Sequence, residues 1–129
     1  MTAQKSVIVF VAHGSRRASW RQPIERLRDA VAGAMDVEAI ELAYLELCEP
    51  TVEAVVEKEY ESGARRFVIL PLFLSGGGHV ARDLVPQIDH CKSRFTDAEF
   101  VQLDAFGELP AVHAALASEL VRTVEAHQS

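Results

Sequence analysis

Two short segments carry the residue types best suited to chemistry: His13-Gly14-Ser15-Arg16-Arg17 and Ser75-Gly76-Gly77-Gly78-His79. Two neutral imidazoles with no cysteine beside them suit Co2+, Ni2+, Fe2+ or Zn2+, and two ligands are too few for a closed structural site, which normally has four. Such a site keeps positions open to water or substrate, so an ion can be taken up and released. Histidine also exchanges its proton near neutral pH, which lets one side chain serve as ligand and as proton acceptor. Taken singly, each histidine reads first as a hydrogen-bonded structural residue. The functional reading depends on the two sharing one pocket. His90, His113 and His127 fall in helical stretches away from these segments and read as solvated positions.

Other groups accompany the pair. Glu46 and Glu49 lie in Leu45-Glu46-Leu47-Cys48-Glu49-Pro50. Simple solvation accounts for Glu46, whereas Glu49 stands at a helix start, where the helix dipole favours an acidic group. Arg16, Arg17 and Arg82 offer charge-assisted hydrogen bonds to a carboxylate-bearing ligand, or serve as ordinary surface charge. The triple glycine lets a flat, bulky ligand approach the backbone beside His79, although a plain turn explains it too. No Lys-Ser/Thr follows it, so it matches a nucleotide phosphate loop poorly. Enzymes that phosphorylate a histidine after a first strand carry an arginine immediately before it, and here that position is Ala12. Ser15 and Ser75 lack the elbow of a serine nucleophile.

The elements that must position these groups alternate short apolar runs with amphipathic stretches, a βα pattern throughout. Ser6–Ala12 and Phe67–Leu74 are nearly continuous apolar sequence, as central parallel strands require when helices cover both faces. Glu38–Tyr44 alternates and Glu99–Leu103 is short, so both read as edge strands. The first helix is expected to open on a capping box, Ser19 with Gln22, and to pack Trp20, Ile24, Leu27, Val31 and Ala34 on the sheet. The second is expected from Pro50 to Gly63, with Val52, Val55, Val56 and Glu59/Tyr60 along its stripe. Pro86 argues for a third helix capped at Asp83, with Leu84, Ile88 and Cys91 inward. The fourth opens near Pro110 and carries Val112, Leu116, Leu120 and Val124. Right-handed crossovers then give the strand order 2-1-3-4, a single-domain three-layer α/β/α sandwich on a four-stranded parallel sheet over residues 1–129. Both histidine segments follow the central strands, so both reach the crevice where the strand order reverses.

Composition narrows the partners. A chain of 129 residues that is 49% hydrophobic can bury one core. A net charge of -6, spread along the sequence, disfavours nucleic acid and anionic membrane surfaces as partners. No apolar run approaches the roughly 20 residues of a membrane span. Met1–Ser6 shows no cleavage signal, which suggests the cytoplasm. Cys48 and Cys91 are far apart and read as packing thiols.

Three ordered segments now stand out: Val11-Ala12-His13-Gly14-Ser15-Arg16, Leu45-Glu46-Leu47-Cys48-Glu49-Pro50-Thr51, and Pro71-Leu72-Phe73-Leu74-Ser75-Gly76-Gly77-Gly78-His79-Val80 with Arg82-Asp83-Leu84. Together they resemble the short form of the CbiX family, the sirohydrochlorin chelatases of cobalamin and siroheme synthesis, within the class II chelatases. The resemblance covers nearly the whole chain. It implies a lyase-class enzyme that inserts a divalent ion, Co2+ first and Ni2+ or Fe2+ as alternatives, into sirohydrochlorin without an organic cofactor. His13 would bind metal and accept protons, and His79 would be the second metal ligand. Glu49 and the stretch Leu74, Ser75, Gly76, Gly77, Gly78 and His79 would line the tetrapyrrole site, with Arg16 among the candidate carboxylate donors. Long family members carry two such halves in one chain, so the short form implies a homodimer that encloses the macrocycle. A non-catalytic metal or tetrapyrrole carrier would need the same ligands, and a flavodoxin-like flavin or phosphate module is a third reading.

Overall fold

The computed structural model describes residues 5–35, 39–78 and 80–128. Strands β1 (Lys5–Ala12), β2 (Ala39–Tyr44), β3 (Ala64–Pro71) and β4 (Glu99–Gln102) form a wholly parallel sheet in the order β2-β1-β3-β4. Helices α1 (Ala18–Ala34), α2 (Val52–Glu61), α3 (Val85–Arg94) and α4 (Pro110–Ala126) alternate with the strands. Order, direction and alternation agree with the sequence expectation. Valine-rich β1 sits in the middle because both of its faces are buried. Val7, Val9 and Val11 meet Phe67 and Ile69 of β3, Val52, Val55 and Val56 of α2, and Ile88 and Cys91 of α3 in one cluster. Each fully buried side chain of this size contributes about 1.5–3 kcal/mol. The opposite face carries a second cluster of Phe10, Ala12, Ile40, Leu42 and Tyr44.

Helix α2 starts as its sequence indicates. Thr51 caps it by accepting from the Ala54 N–H at 3.1 Å, and Gly63 stops it in the left-handed region at φ 104. Buried Glu59 is paired with Lys5 at 3.1 Å, at the end of the sheet opposite the histidine segments.

Four expectations are corrected. β3 runs Ala64–Pro71 rather than Phe67–Leu74. Leu72 still donates its N–H to Val11 O at 2.8 Å as a last bond to β1, and Phe73 and Leu74 leave the sheet as a loop. The Ser19–Gln22 capping box is absent: α1 begins after Arg17 without a side-chain cap, and Ser15 Oγ instead accepts from the Arg17 N–H at 3.1 Å. The inward stripe of α1 is narrower than its periodicity suggests, because Trp20 lies in the first turn, at the strands' carboxyl rim, and is 66% exposed. Only Ile24 and Val31 of that stripe pack on the second cluster. The third helix is not capped at Asp83, since a π-helical turn, Val80–Leu84, leads directly into α3. A wider turn relieves the clash between the Pro86 ring and the carbonyl four residues earlier, so the proline is absorbed. Leu84, Ile88 and Cys91 are nevertheless buried as expected. The apolar residues of α4 lie at the anticipated spacing, yet the helix has no buried residue.

Candidate functional site

β1 ends at Ala12, and the chain must turn sharply to enter α1. Gly14 makes that turn at φ 105, and a Cβ there would stand 1.9 Å from the Glu46 carbonyl oxygen. Only glycine fits such a position. The turn is fastened to its neighbours: the Leu45 N–H donates to Ala12 O at 2.9 Å, and the Glu46 N–H donates to His13 O at 3.1 Å. The Ser15 N–H donates to Cys48 Sγ at 3.4 Å, and the Arg21 guanidinium donates to Ser15 O at 2.6 Å. Cys48 is thus more than packing. It ties the loop after β2 to the loop after β1.

On this pinned turn His13 is exposed to solvent. Its ring lies 4.3 Å from that of Phe73, at an interplanar angle of 36°. The imidazole separates two concavities. One, of about 190 Å³, is lined by His13 with Trp20, Arg21, Ile24, Tyr44 and Leu72. The other, of about 350 Å³, is lined by His13, Leu72, Phe73, Leu74 and Ser75. Burial, and to a lesser extent the Glu25 charge, raise the Tyr44 pKa, so its phenol stays a neutral hydrogen-bonding group. Trp20, Leu74 and Leu47 are exposed at this end of the molecule, with Leu47 in the left-handed region at φ 70. Large exposed apolar side chains grouped around a polar centre mark a binding surface.

The remaining sequence candidates fall as follows. Ser75 lies beside His13 in the larger concavity. Gly76 donates its N–H to Glu108 Oε1 at 2.9 Å, and Arg82 lies over Gly78, where a Cβ would be 2.8 Å from the guanidinium. Gly77 has open space at its Cα. Arg16 and Arg17 are exposed, and the Arg17 guanidinium lies 5.5 Å from the Trp20 ring centre. Glu46 is exposed and contributes its backbone N–H. Glu49 lines neither concavity of His13. It borders a third, of about 280 Å³, with Arg21, Arg28 and Tyr44. Arg21 and Tyr44 also line the smaller His13 concavity, so the grooves adjoin. His79 lies outside the described residues, between Gly78 and Val80 in the sequence. Among the described residues no group of three or more His, Cys, Asp or Glu side chains is arranged to hold a metal. His90 meets Glu53 across α2 and α3, and His127 Nδ1 lies 2.9 Å from Thr123 O. Neither belongs to this site.

Sequence reasoning missed Phe73, Arg21 and Glu108. Phe73 lay in an apolar run that read as strand, and Arg21 on a helix that read as surface. Glu108 belongs to a 3-10 turn, Phe106–Glu108, with no motif of its own.

The fold and the site define an open-sheet α/β protein whose crevice lies beyond the carboxyl ends of the two central strands, at the point where the strand order reverses. The CbiX family model matches residues 7–123, and the chain belongs to that family. It is 43% identical over 77 residues to the sirohydrochlorin cobaltochelatase of Methanopyrus kandleri, an alignment covering 60% of this chain and 54% of that one. A crystal structure of a CbiX protein from Marinobacter aquaeolei VT8 superposes with a TM-score of 0.81 at 26% identity, over 94% of this chain and 98% of that one. The sirohydrochlorin chelatase SirB of Bacillus subtilis subspecies spizizenii, in complex with cobalt, superposes at 0.71 and 28% identity, over 76% and 42%. The chain spans about half the length of the curated relative from Methanopyrus. Among the described residues no helix is long and apolar enough to cross a membrane.

Proposed function

We propose that this chain is a sirohydrochlorin chelatase, which inserts a divalent ion, Co2+ first and Ni2+ or Fe2+ as competitors, into the macrocycle. The observation that carries the proposal is the exposed imidazole of His13, held on a fastened turn between two concavities and beside exposed apolar side chains. Insertion requires the two inner N–H protons of the macrocycle to leave while the ion sheds water. A weak, incomplete ligand set suits that exchange, because a closed four-ligand cage would retain the ion. In this reading His13 binds the incoming ion and accepts a proton. His79 supplies the second imidazole, and the metal is substrate rather than resident cofactor. The 74–78 loop presents backbone to the flat face of the ring. Glu49 and Arg16 face the peripheral groups, and Arg21, which lines the smaller His13 concavity, acts with Arg16 as a hydrogen-bond donor to the substrate's carboxylates.

The concavities of about 190 and 350 Å³ are small beside the roughly 300–1,000 Å³ of pockets that enclose drug-sized ligands. A tetrapyrrole would lie across their mouths, and a second copy of the chain would close the other side. The proposal therefore includes a homodimer. Unpaired Cys48 and Cys91 suit a reducing, cytoplasmic compartment.

The test mixes protein, sirohydrochlorin and Co2+ anaerobically and follows the macrocycle absorption. Insertion faster than in buffer, and lost in His13→Ala, is expected. A rate equal to buffer, with cobalt or macrocycle still bound, establishes a carrier instead; a rate unchanged in His13→Ala removes this residue from the chemistry.

A further inference from the structure

The two concavities that flank His13 differ in chemistry. The larger is apolar apart from the imidazole and Ser75, since Leu72, Phe73 and Leu74 complete its lining. The smaller carries a cation, a phenol and an indole, from Arg21, Tyr44 and Trp20. At about 190 Å³ it is too small to enclose a macrocycle, because pockets for drug-sized ligands begin at roughly 300 Å³. It has room for one flexible side arm.

Its polar groups are not spent on the fold. Tyr44 ends β2 beside Ala12 of β1 and is 4% exposed. Its backbone N–H donates to Pro50 O at 2.9 Å, yet among the described residues its hydroxyl has no hydrogen-bond partner. Burial raises its pKa, so the phenol keeps its proton and can donate it to an incoming acceptor. A buried hydroxyl left without a partner is costly to the fold, and this side chain borders a concavity from which a ligand could supply one. Arg21 gives one guanidinium N–H to Ser15 O at 2.6 Å. A guanidinium has five such donors, so the others remain for an anion. Trp20, in the first turn of α1, forms an apolar wall at the mouth, and the Arg17 guanidinium lies 5.5 Å from its ring centre.

Charge selects the ligand. Among the described residues no acidic side chain lines this concavity, whereas Glu25, Glu41 and Glu49 all line the adjoining groove. An anion is therefore drawn to the His13 side of Tyr44 and repelled from the other. On a chain of net charge -6, a carboxylate needs such a local arrangement to be held.

We propose that the smaller concavity is a carboxylate subsite: it seats one acidic side arm of the macrocycle, with the Tyr44 hydroxyl and the Arg21 guanidinium as joint donors. This rests on the chelatase reading above, and adds to it Tyr44 as a specificity-determining residue and an orientation for the substrate. The acidic arm lies on the α1 side of His13, and the ring spreads over the apolar mouth on the other side.

Tyr44→Phe removes the donor and keeps the packing. Metal-free sirohydrochlorin and its full methyl ester, titrated anaerobically by macrocycle absorption, read the effect. The variant should bind the acid on the order of tenfold more weakly, as expected for a lost hydrogen bond to a charged group. It should bind the ester nearly as well as the wild type does, so the preference for acid over ester falls by the same factor. Its urea midpoint should equal or exceed that of the wild type, because no contact of the fold is lost. Unchanged affinity for the acid overturns the subsite, as does equal weakening of acid and ester. A lower midpoint assigns the hydroxyl to the fold and overturns it too. If the acid preference falls as expected while cobalt insertion stays at the buffer rate, the subsite stands and the chelatase reading fails. Wild-type protein that binds no macrocycle removes both.

Discussion

The imidazole of His13, at the end of β1, lies 4.3 Å from the phenyl ring of Phe73, in the loop after β3. This contact joins the two central loops of the sheet through the one group that the proposed chemistry needs most. Phe73 is buried, so its ring forms a fixed wall against which the imidazole is oriented.

Aromatic contacts of this kind contribute about 0.5–1.5 kcal/mol beyond area burial. Phe73→Leu should therefore weaken Co2+ binding by about two- to tenfold with little loss of fold. Isothermal titration checks it, and wild-type affinity would show that the ring does not orient His13. Phe73→Ala is the poorer probe, because the cavity alone costs about 3–5 kcal/mol.

Gly14 and Gly33 should respond in opposite directions to alanine. At Gly14 the new Cβ meets the Glu46 carbonyl at 1.9 Å on a backbone with φ 105. That substitution should cost more than about 2 kcal/mol and lower activity with stability. At Gly33, inside α1, a Cβ meets nothing within 4 Å. There alanine should stabilise by about 0.5–1 kcal/mol. Urea midpoints of the two variants decide the matter, and equal shifts would contradict the geometry.

Glu108 Oε1 accepts from the Gly76 N–H at 2.9 Å, which pins the glycine loop from the turn before α4. Glu108→Ala should raise hydrogen exchange at the Gly76 amide, by about tenfold if the bond contributes ~1.4 kcal/mol. Glu108→Gln keeps an acceptor and should preserve most of the protection. Unchanged exchange in the alanine variant would mean that the loop is held by other contacts.

Burial, reinforced by the Glu53 charge, pushes the Cys91 thiol from 9.0 up to about 11. A folded-state pKa above the unfolded one adds stability that is complete below about pH 9 and is lost as the pH rises through about 11. Tyr60, raised by its hydrogen bond to Asp97, acts in the same direction. The difference between wild type and Cys91→Ala should thus shrink from pH 8 to pH 11 in urea titrations. Native protein at pH 8 should react with a thiol reagent at Cys48 and not at Cys91; rapid labelling of both would show that Cys91 is not sealed.

Much of this architecture is present in local sequence. Continuous valine-rich runs cannot be half-exposed strands, so β1 and β3 had to be central. With right-handed crossovers, little freedom was left in the strand order. The turn at His13-Gly14 and the loop at Gly76–Gly78 were visible because glycine runs beside a histidine are unusual after buried strands. Trp20 was misplaced for the same kind of reason: periodicity says which side of a helix a residue occupies, not whether sheet lies beneath it. Pro86 marked a helix boundary by rule, and a π turn absorbed it.

The amino-acid order by itself therefore determined the elements, their sequence around the sheet and the end of the molecule where His13 sits, because these follow from short-range periodicity and chain handedness. Tertiary structure alone decided that Phe73 walls the imidazole, that Arg21 and Cys48 fasten its turn, that Glu108 reaches Gly76, and that α4 leaves its stripe bare. Each of those depends on distances between atoms far apart along the chain. No local pattern encodes such distances; only the packing of the finished fold sets them.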